Sequence, residues 1–229
     1  MKGLLYASCV LNKKFFIGAG IAAAAATILA VVCELLLEQQ FFREMAYYAI
    51  MIASILPAVI ALEFPARDLE KNLKSRFANY ALAGGISRNQ FALTELLKNL
   101  MCVAGGAAVC GIVSLICIAV KPGYLVTSNI ISHLLIIVVI GAAVWCVTPL
   151  TITTKSAEKA GLIVGVCIGF GLILPFNLLE NAITDGTAFE FFNLLSEPWF
   201  PWTVLGAAAV VYAVVYIILL ARVKRGDVC

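Results

Sequence analysis

Residues Trp202–Ala221 read WTVLGAAAVVYAVVYIILLA, without a single charged side chain. A bilayer's hydrocarbon core is about 30 Å thick, and a helix needs ~20 apolar residues to cross it. The stretch has that length. Five further runs have similar character: Phe15–Leu37, Met45–Leu62, Leu96–Val120, Ile130–Leu150 and Ala160–Leu179. Composition agrees, with 63% of the 229 residues hydrophobic and 13% charged. Soluble domains carry roughly half apolar and a quarter charged residues. Inside lipid the backbone must satisfy its own hydrogen bonds, so spans are helices or a closed barrel. A barrel would show alternating segments of about ten residues; these runs are long and unbroken. The expectation is an all-α integral membrane protein of six transmembrane helices. No linker or composition shift divides it, so 1–229 reads as a single transmembrane domain.

The N-terminal run begins after Asn12-Lys13-Lys14 and ends at Glu34 and Glu38 without a small-residue cleavage site, so it reads as a retained span. Most of the eight cysteines fall inside apolar runs, and no CxxC pair occurs. They read as small hydrophobes rather than metal or redox ligands.

Orientation follows from lysine and arginine. Of the 16, all but Arg43 and Lys121 fall in segments on one side of the six-span arrangement. That side is expected to be cytoplasmic, with both termini there, in the cell (plasma or inner) membrane. Acidic residues such as Glu180, Asp185 and Glu190 gather on the other side. The basic excess reads as topology and contact with anionic lipid, not as nucleic-acid binding.

Between the second and third runs lies a segment too polar to span. Pro65 suits a first helical turn, and Leu69, Leu73, Phe77 and Tyr80 recur at steps of three or four. Asp68, Glu70, Lys71, Lys74 and Arg76 occupy other faces. The spacing predicts one amphipathic helix at the membrane surface, ended by Gly84-Gly85. Ser87 and Gln90 then have capping-box spacing, with Ile86 and Phe91 in the staple positions. The new helix runs through Thr94, Glu95 and Lys98 into the third span. The result is a rigid elbow, which reads either as a well-capped connection with no partner or as a docking elbow for a cytoplasmic subunit, with Leu73, Phe77, Tyr80, Gly84, Gly85, Ile86, Ser87, Arg88 and Phe91 as the candidate docking residues. Leu4, Leu5, Cys9 and Leu11, with Lys2, Lys13 and Lys14, suggest either a short interfacial helix before the first span or a simple basic anchor.

On these residues the chain resembles the small permease subunits of type-2 ABC exporters. The resemblance rests on Met1-Lys2-Gly3-Leu4-Leu5-Tyr6, on Lys13-Lys14 before the first span, and on Tyr80-Ala81-Leu82-Ala83-Gly84-Gly85-Ile86-Ser87-Arg88. Gly85 stands where proline is common in the family. The resemblance implies a multi-pass permease that pairs with a second permease copy or homologue and binds an ABC ATPase subunit through the elbow. It places ATP and Mg on that ATPase and the substrate path in the permease dimer. Consistent with this, the chain has no GxxxxGK[ST] phosphate loop. No cofactor, metal or catalytic residue is expected on this chain, and it is not expected to be an enzyme.

Gly161, Gly165 and Gly169 repeat every four residues in the fifth run, a pattern for close helix packing within the chain or across a permease dimer. His133 is the only histidine, suited to an interfacial hydrogen bond. No GxSxG or HExxH motif occurs, and acidic residues avoid the centres of the runs, against intramembrane proteolysis and proton-driven transport. The aromatic segment Phe176–Pro201 suits short interfacial helices on the outer face. Two other functions fit six spans: the substrate-binding membrane subunit of a vitamin importer, which has no need of the elbow, and a non-transporting regulatory or immunity protein.

Overall fold

The computed structural model describes residues 6, 8, 10, 12–36, 55, 59–120, 127–168 and 198–226. Most of the second expected span (45–62), the later part of the fifth, Gly169 and the outer segment up to residue 197 lie outside the described residues.

Every described element is helical. In chain order they are α1 (Lys13–Leu36), α2 (Phe64–Lys74), α3 (Phe77–Ala83), α4 (Arg88–Val120), α5 (Thr127–Thr154), α6 (Ala157–Ile168) and α7 (Phe200–Arg225). Three stretches are long and apolar enough to cross a membrane: Arg88–Ile116 in α4, His133–Thr154 in α5, and Phe200–Arg225. They fall on the third, fourth and sixth expected spans, as a multi-pass membrane protein requires. α1 is helical over the first expected span, with its apolar stretch at Phe16–Leu29. Bulky side chains such as Ile112, Leu115, Val139, Val210 and Ile217 are exposed on the outside of the bundle. In water such a surface would be a sticky patch; in lipid it is the ordinary outer face.

α5 is the central helix and packs against α2, α4, α6 and α7. One core joins Trp145 and Ile152 of α5 to Val215, Leu219 and Val223 of α7, Phe91 and Ala92 of α4, and Leu69 of α2. Two close approaches set its geometry. Gly141 of α5 lies where a Cβ would collide with the Val103 side chain of α4. Trp145 Nε1 donates to the Tyr212 carbonyl at 3.2 Å, and the Tyr212 hydroxyl donates to Asn99 Oδ1 at 2.5 Å. Asn99 thereby ties α4 to α7 by an interhelical hydrogen bond, an interaction suited to a low-dielectric bundle.

The segment between the second and third spans differs from the single amphipathic helix expected. α2 stops at Lys74, where Ser75 N–H donates to the Lys71 carbonyl at 2.9 Å and Arg76 takes a left-handed φ of +57°. Leu69 and Leu73 therefore turn toward the core, while Phe77 begins a separate seven-residue helix and is 40% exposed. Periodicity in apolar residues continued across Ser75-Arg76, but the backbone does not.

Candidate functional site

Among the described residues, basic side chains at the start of α4 and the end of α7 meet at one end of the bundle. Arg88 Nη1, at the start of α4, donates to the Lys224 carbonyl at the end of α7, at 2.7 Å. Arg222 of α7 donates to the Thr153 hydroxyl at the end of α5. Glu70 of α2 accepts the Ala157 N–H at the start of α6 at 3.0 Å. α7 ends there with Arg222, Lys224 and Arg225 in its last turn and Gly226 in a left-handed cap at φ +87°. Cations at a helix C-terminus complement its exposed carbonyls.

Glu70 also accepts from Lys74. That hydrogen bond, with the Ala157 N–H second, holds the Glu70 carboxyl below the usual carboxylate range. A carboxylate at the first amide of α6 is where a helix N-terminus favours negative charge.

The turn between α3 and α4 is built as its sequence implies. Gly85 takes φ +92°, which a side chain would strain, and Ile86 N–H donates back to the Ala81 carbonyl at 3.2 Å. Ser87 Oγ accepts the Gln90 N–H and Gln90 Oε1 accepts the Ser87 N–H, each at 3.1 Å, so both halves of the capping box form. Phe91 is buried in the main core, with Leu73 and Leu82 packed against it, and Ile86 is half-buried. Gly84, Gly85, Ser87, Arg88, Asn89 and Gln90 are exposed. The turn is thus fastened from beneath and open above. Arg88 is partly committed: its guanidinium caps α7. Tyr80 lies within α3. Gly161 and Gly165 lie along α6, and a Cβ added to either meets nothing within 4 Å. Among the described residues, a close approach through a glycine occurs at Gly141.

Below the turn lies a buried cluster drawn from α2 and α4. Asp68 of α2 is 3% exposed, and Glu95 and Lys98 of α4 are 1% and 4%. Lys98 Nζ donates at 2.7 Å to both Asp68 Oδ2 and Glu95 Oε1. Asp68 also accepts from Ser8 Oγ at 2.9 Å, Asn12 Nδ2 at 2.7 Å and Asn72 Nδ2 at 3.1 Å. Lys71 Nζ reaches Asn12 Oδ1 at 3.0 Å. The network joins the segment before α1 to α2 and α4. Asp68 is fully supplied with donors, whereas Glu95 Oε2 is buried with none among the described residues.

The signal for this cluster was present as paired polar residues at helical spacing: Ser8 with Asn12, Asp68 with Asn72, and Glu95 with Lys98 and Asn99. Each pair lies beside an apolar stripe, so each reads singly as a helix's polar edge. Only tertiary packing brings the edges together. His133, expected at an interfacial hydrogen bond, is instead buried, and neither ring nitrogen has a partner among the described residues. Comparisons with protein-family models, with curated proteins and with solved structures return no match for this chain.

Proposed function

We propose that the chain is the transmembrane permease subunit of an ATP-driven ABC exporter, working as a dimer with separate ATPase subunits. The observation that carries the proposal is the turn at Gly84–Phe91. It is reciprocally capped, rooted in the core by Phe91, and exposed at the end of the bundle where the basic residues gather. A mere connector has no need of two capping bonds and a buried anchor, whereas a docking surface must hold its shape against a moving partner. The basic end faces the cytoplasm in this reading, where an ATPase would meet it. The ATPase supplies the phosphate-binding loop that this sequence lacks.

The buried Asp68–Lys98–Glu95 cluster supports the same reading, because it fastens α2 and α4, which lie on either side of α3 and the turn, to the segment before α1. Motion imposed on the elbow would pass to α1 and α4 together. The test is a variant lacking both capping bonds, Ser87→Ala with Gln90→Ala. Arg88 is left in place, since its replacement would also uncap α7. The variant is expected to insert and fold, yet lose ATPase copurification and export. Normal ATPase binding and export by this variant would reduce the turn to a connector.

A further inference from the structure

A cavity of about 640 Å³ lies between α2, α5 and α6. Its floor is apolar: Ala66 of α2, Val144 and Val147 of α5, and Gly161 of α6. Gly161 widens it, since a Cβ added there would meet nothing within 4 Å. Its rim is charged, with Glu63, Arg67, Glu70 and Lys74 along α2 and Glu158 in the first turn of α6. Val144 and Val147 belong to the membrane-spanning stretch of α5, whereas α2 is too polar to span. The cavity therefore runs from the edge of the hydrocarbon into the headgroup layer. Water would satisfy the rim and not the floor; an acyl chain would satisfy the floor and not the rim. The solute that matches both, at this depth, is a phospholipid.

The rim also states which headgroup charge fits. Three carboxylates, Glu63, Glu70 and Glu158, stand against three cations, Arg67, Lys71 and Lys74. An anionic headgroup would add a negative charge to a balanced rim that already holds three, so a zwitterion fits better. Glu70 Oε2 accepts the Ala157 N–H at 3.0 Å and so brings the charged stripe of α2 against the start of α6. Arg67 lies one turn before Glu70, and Glu158 follows Ala157, so the cavity is bounded by a cation on one side and a carboxylate on the other. Arg67 pairs with Glu63 at 2.6 Å, but both side chains are more than half exposed. Such a pair is weakly held, and a guanidinium has five N–H donors to share with a phosphate. Glu158 has no cation within ion-pair distance among the described residues. Lys71 is engaged elsewhere, its ammonium on Asn12 Oδ1 at 3.0 Å.

We infer that the cavity binds a zwitterionic phospholipid of the phosphatidylethanolamine class, its phosphate on Arg67, its ammonium on Glu158 and the start of its acyl chains over Val147 and Gly161. The site needs the membrane and not the export reading. Full-length chain, delipidated in mild detergent without any ATPase, is titrated with phosphatidylethanolamine, phosphatidylcholine and phosphatidylglycerol of identical acyl chains. Bound lipid is counted by native mass spectrometry, and size exclusion checks that every variant is folded. One phosphatidylethanolamine is expected to bind about tenfold tighter than either other lipid, a difference of ~1.4 kcal/mol. Phosphatidylcholine keeps the phosphate but its quaternary nitrogen has no N–H for Glu158; phosphatidylglycerol has no cation at all. Glu158→Gln is expected to bring phosphatidylethanolamine to the level of phosphatidylcholine, and Arg67→Gln to weaken both. Gly161→Leu, which no neighbour obstructs, fills the floor and is expected to abolish the tight site for all three. Equal binding of the three lipids, a preference for phosphatidylglycerol, or a phosphatidylethanolamine preference that survives Glu158→Gln or Gly161→Leu overturns the inference.

Discussion

Removing the Lys98 ammonium would leave two carboxylates facing each other in a buried site. Breaking a buried ion pair from one side typically costs about 3–5 kcal/mol, because the remaining charge loses its partner. Lys98→Met is therefore expected to lower the amount of folded protein sharply, as read by size-exclusion of a fluorescent fusion after heating. Lys98→Met combined with Asp68→Asn and Glu95→Gln keeps the shape and removes the charges. It is expected to recover most of that loss. Equal damage in the single and triple variants would mean that packing, not charge, holds this junction. Glu70 offers a gentler test, because its carboxyl is held below the usual range by Lys74 and by the Ala157 N–H. A depressed carboxylate contributes stability above its unfolded pKa, ~4.3, and loses it as pH falls through the lower folded value. Spin labels at Arg67 and Lys159 should report one α2–α6 distance at pH 7 and pH 5, with broadening only below pH 4. Glu70→Gln should broaden it at every pH.

At the scale of elements, the turn before α4 was legible residue by residue. Serine and glutamine at cap spacing need nothing beyond their own backbone, so local chemistry decides them, and both bonds form. Ser87→Ala should cost about 0.5–2 kcal/mol of local helix stability. Hydrogen exchange at the amides of residues 88–91 should quicken severalfold while the amides of Val211–Leu219 stay protected. The break at Ser75-Arg76 was not legible, because apolar spacing runs straight across it and neither residue is a strong helix breaker. The charge cluster was illegible for a related reason. A polar edge on one helix looks solvated until a second and a third edge are packed against it.

For the whole molecule, runs of apolar residues identified membrane-spanning helices because their length is fixed by the bilayer and not by any partner. α4 carries this furthest. From Asn99 to Val120 it rises about 33 Å at 1.5 Å per residue, enough to cross the hydrocarbon and leave Lys98 at its edge. The basic ends of α4, α5, α6 and α7 meet on one side, as the distribution of lysine and arginine implies. Cysteines placed singly at Pro198 and Arg225, in a cysteine-depleted background, mark the two ends of α7. In intact cells an impermeant thiol reagent is expected to label the first and not the second; the opposite pattern would invert the topology.

The permease assignment depends most directly on a partner that hydrolyses ATP. The chain is purified in mild detergent from membranes of the cells that make it, with and without the Ser87→Ala, Gln90→Ala pair, and ATP turnover is measured alongside the identity of copurifying chains. The account predicts no turnover by the chain alone. It predicts robust turnover when a chain bearing a GxxxxGK[ST] loop copurifies, and loss of both partner and turnover in the capping variant. A chain that purifies without any such partner, or a partner retained unchanged by the capping variant, would contradict it.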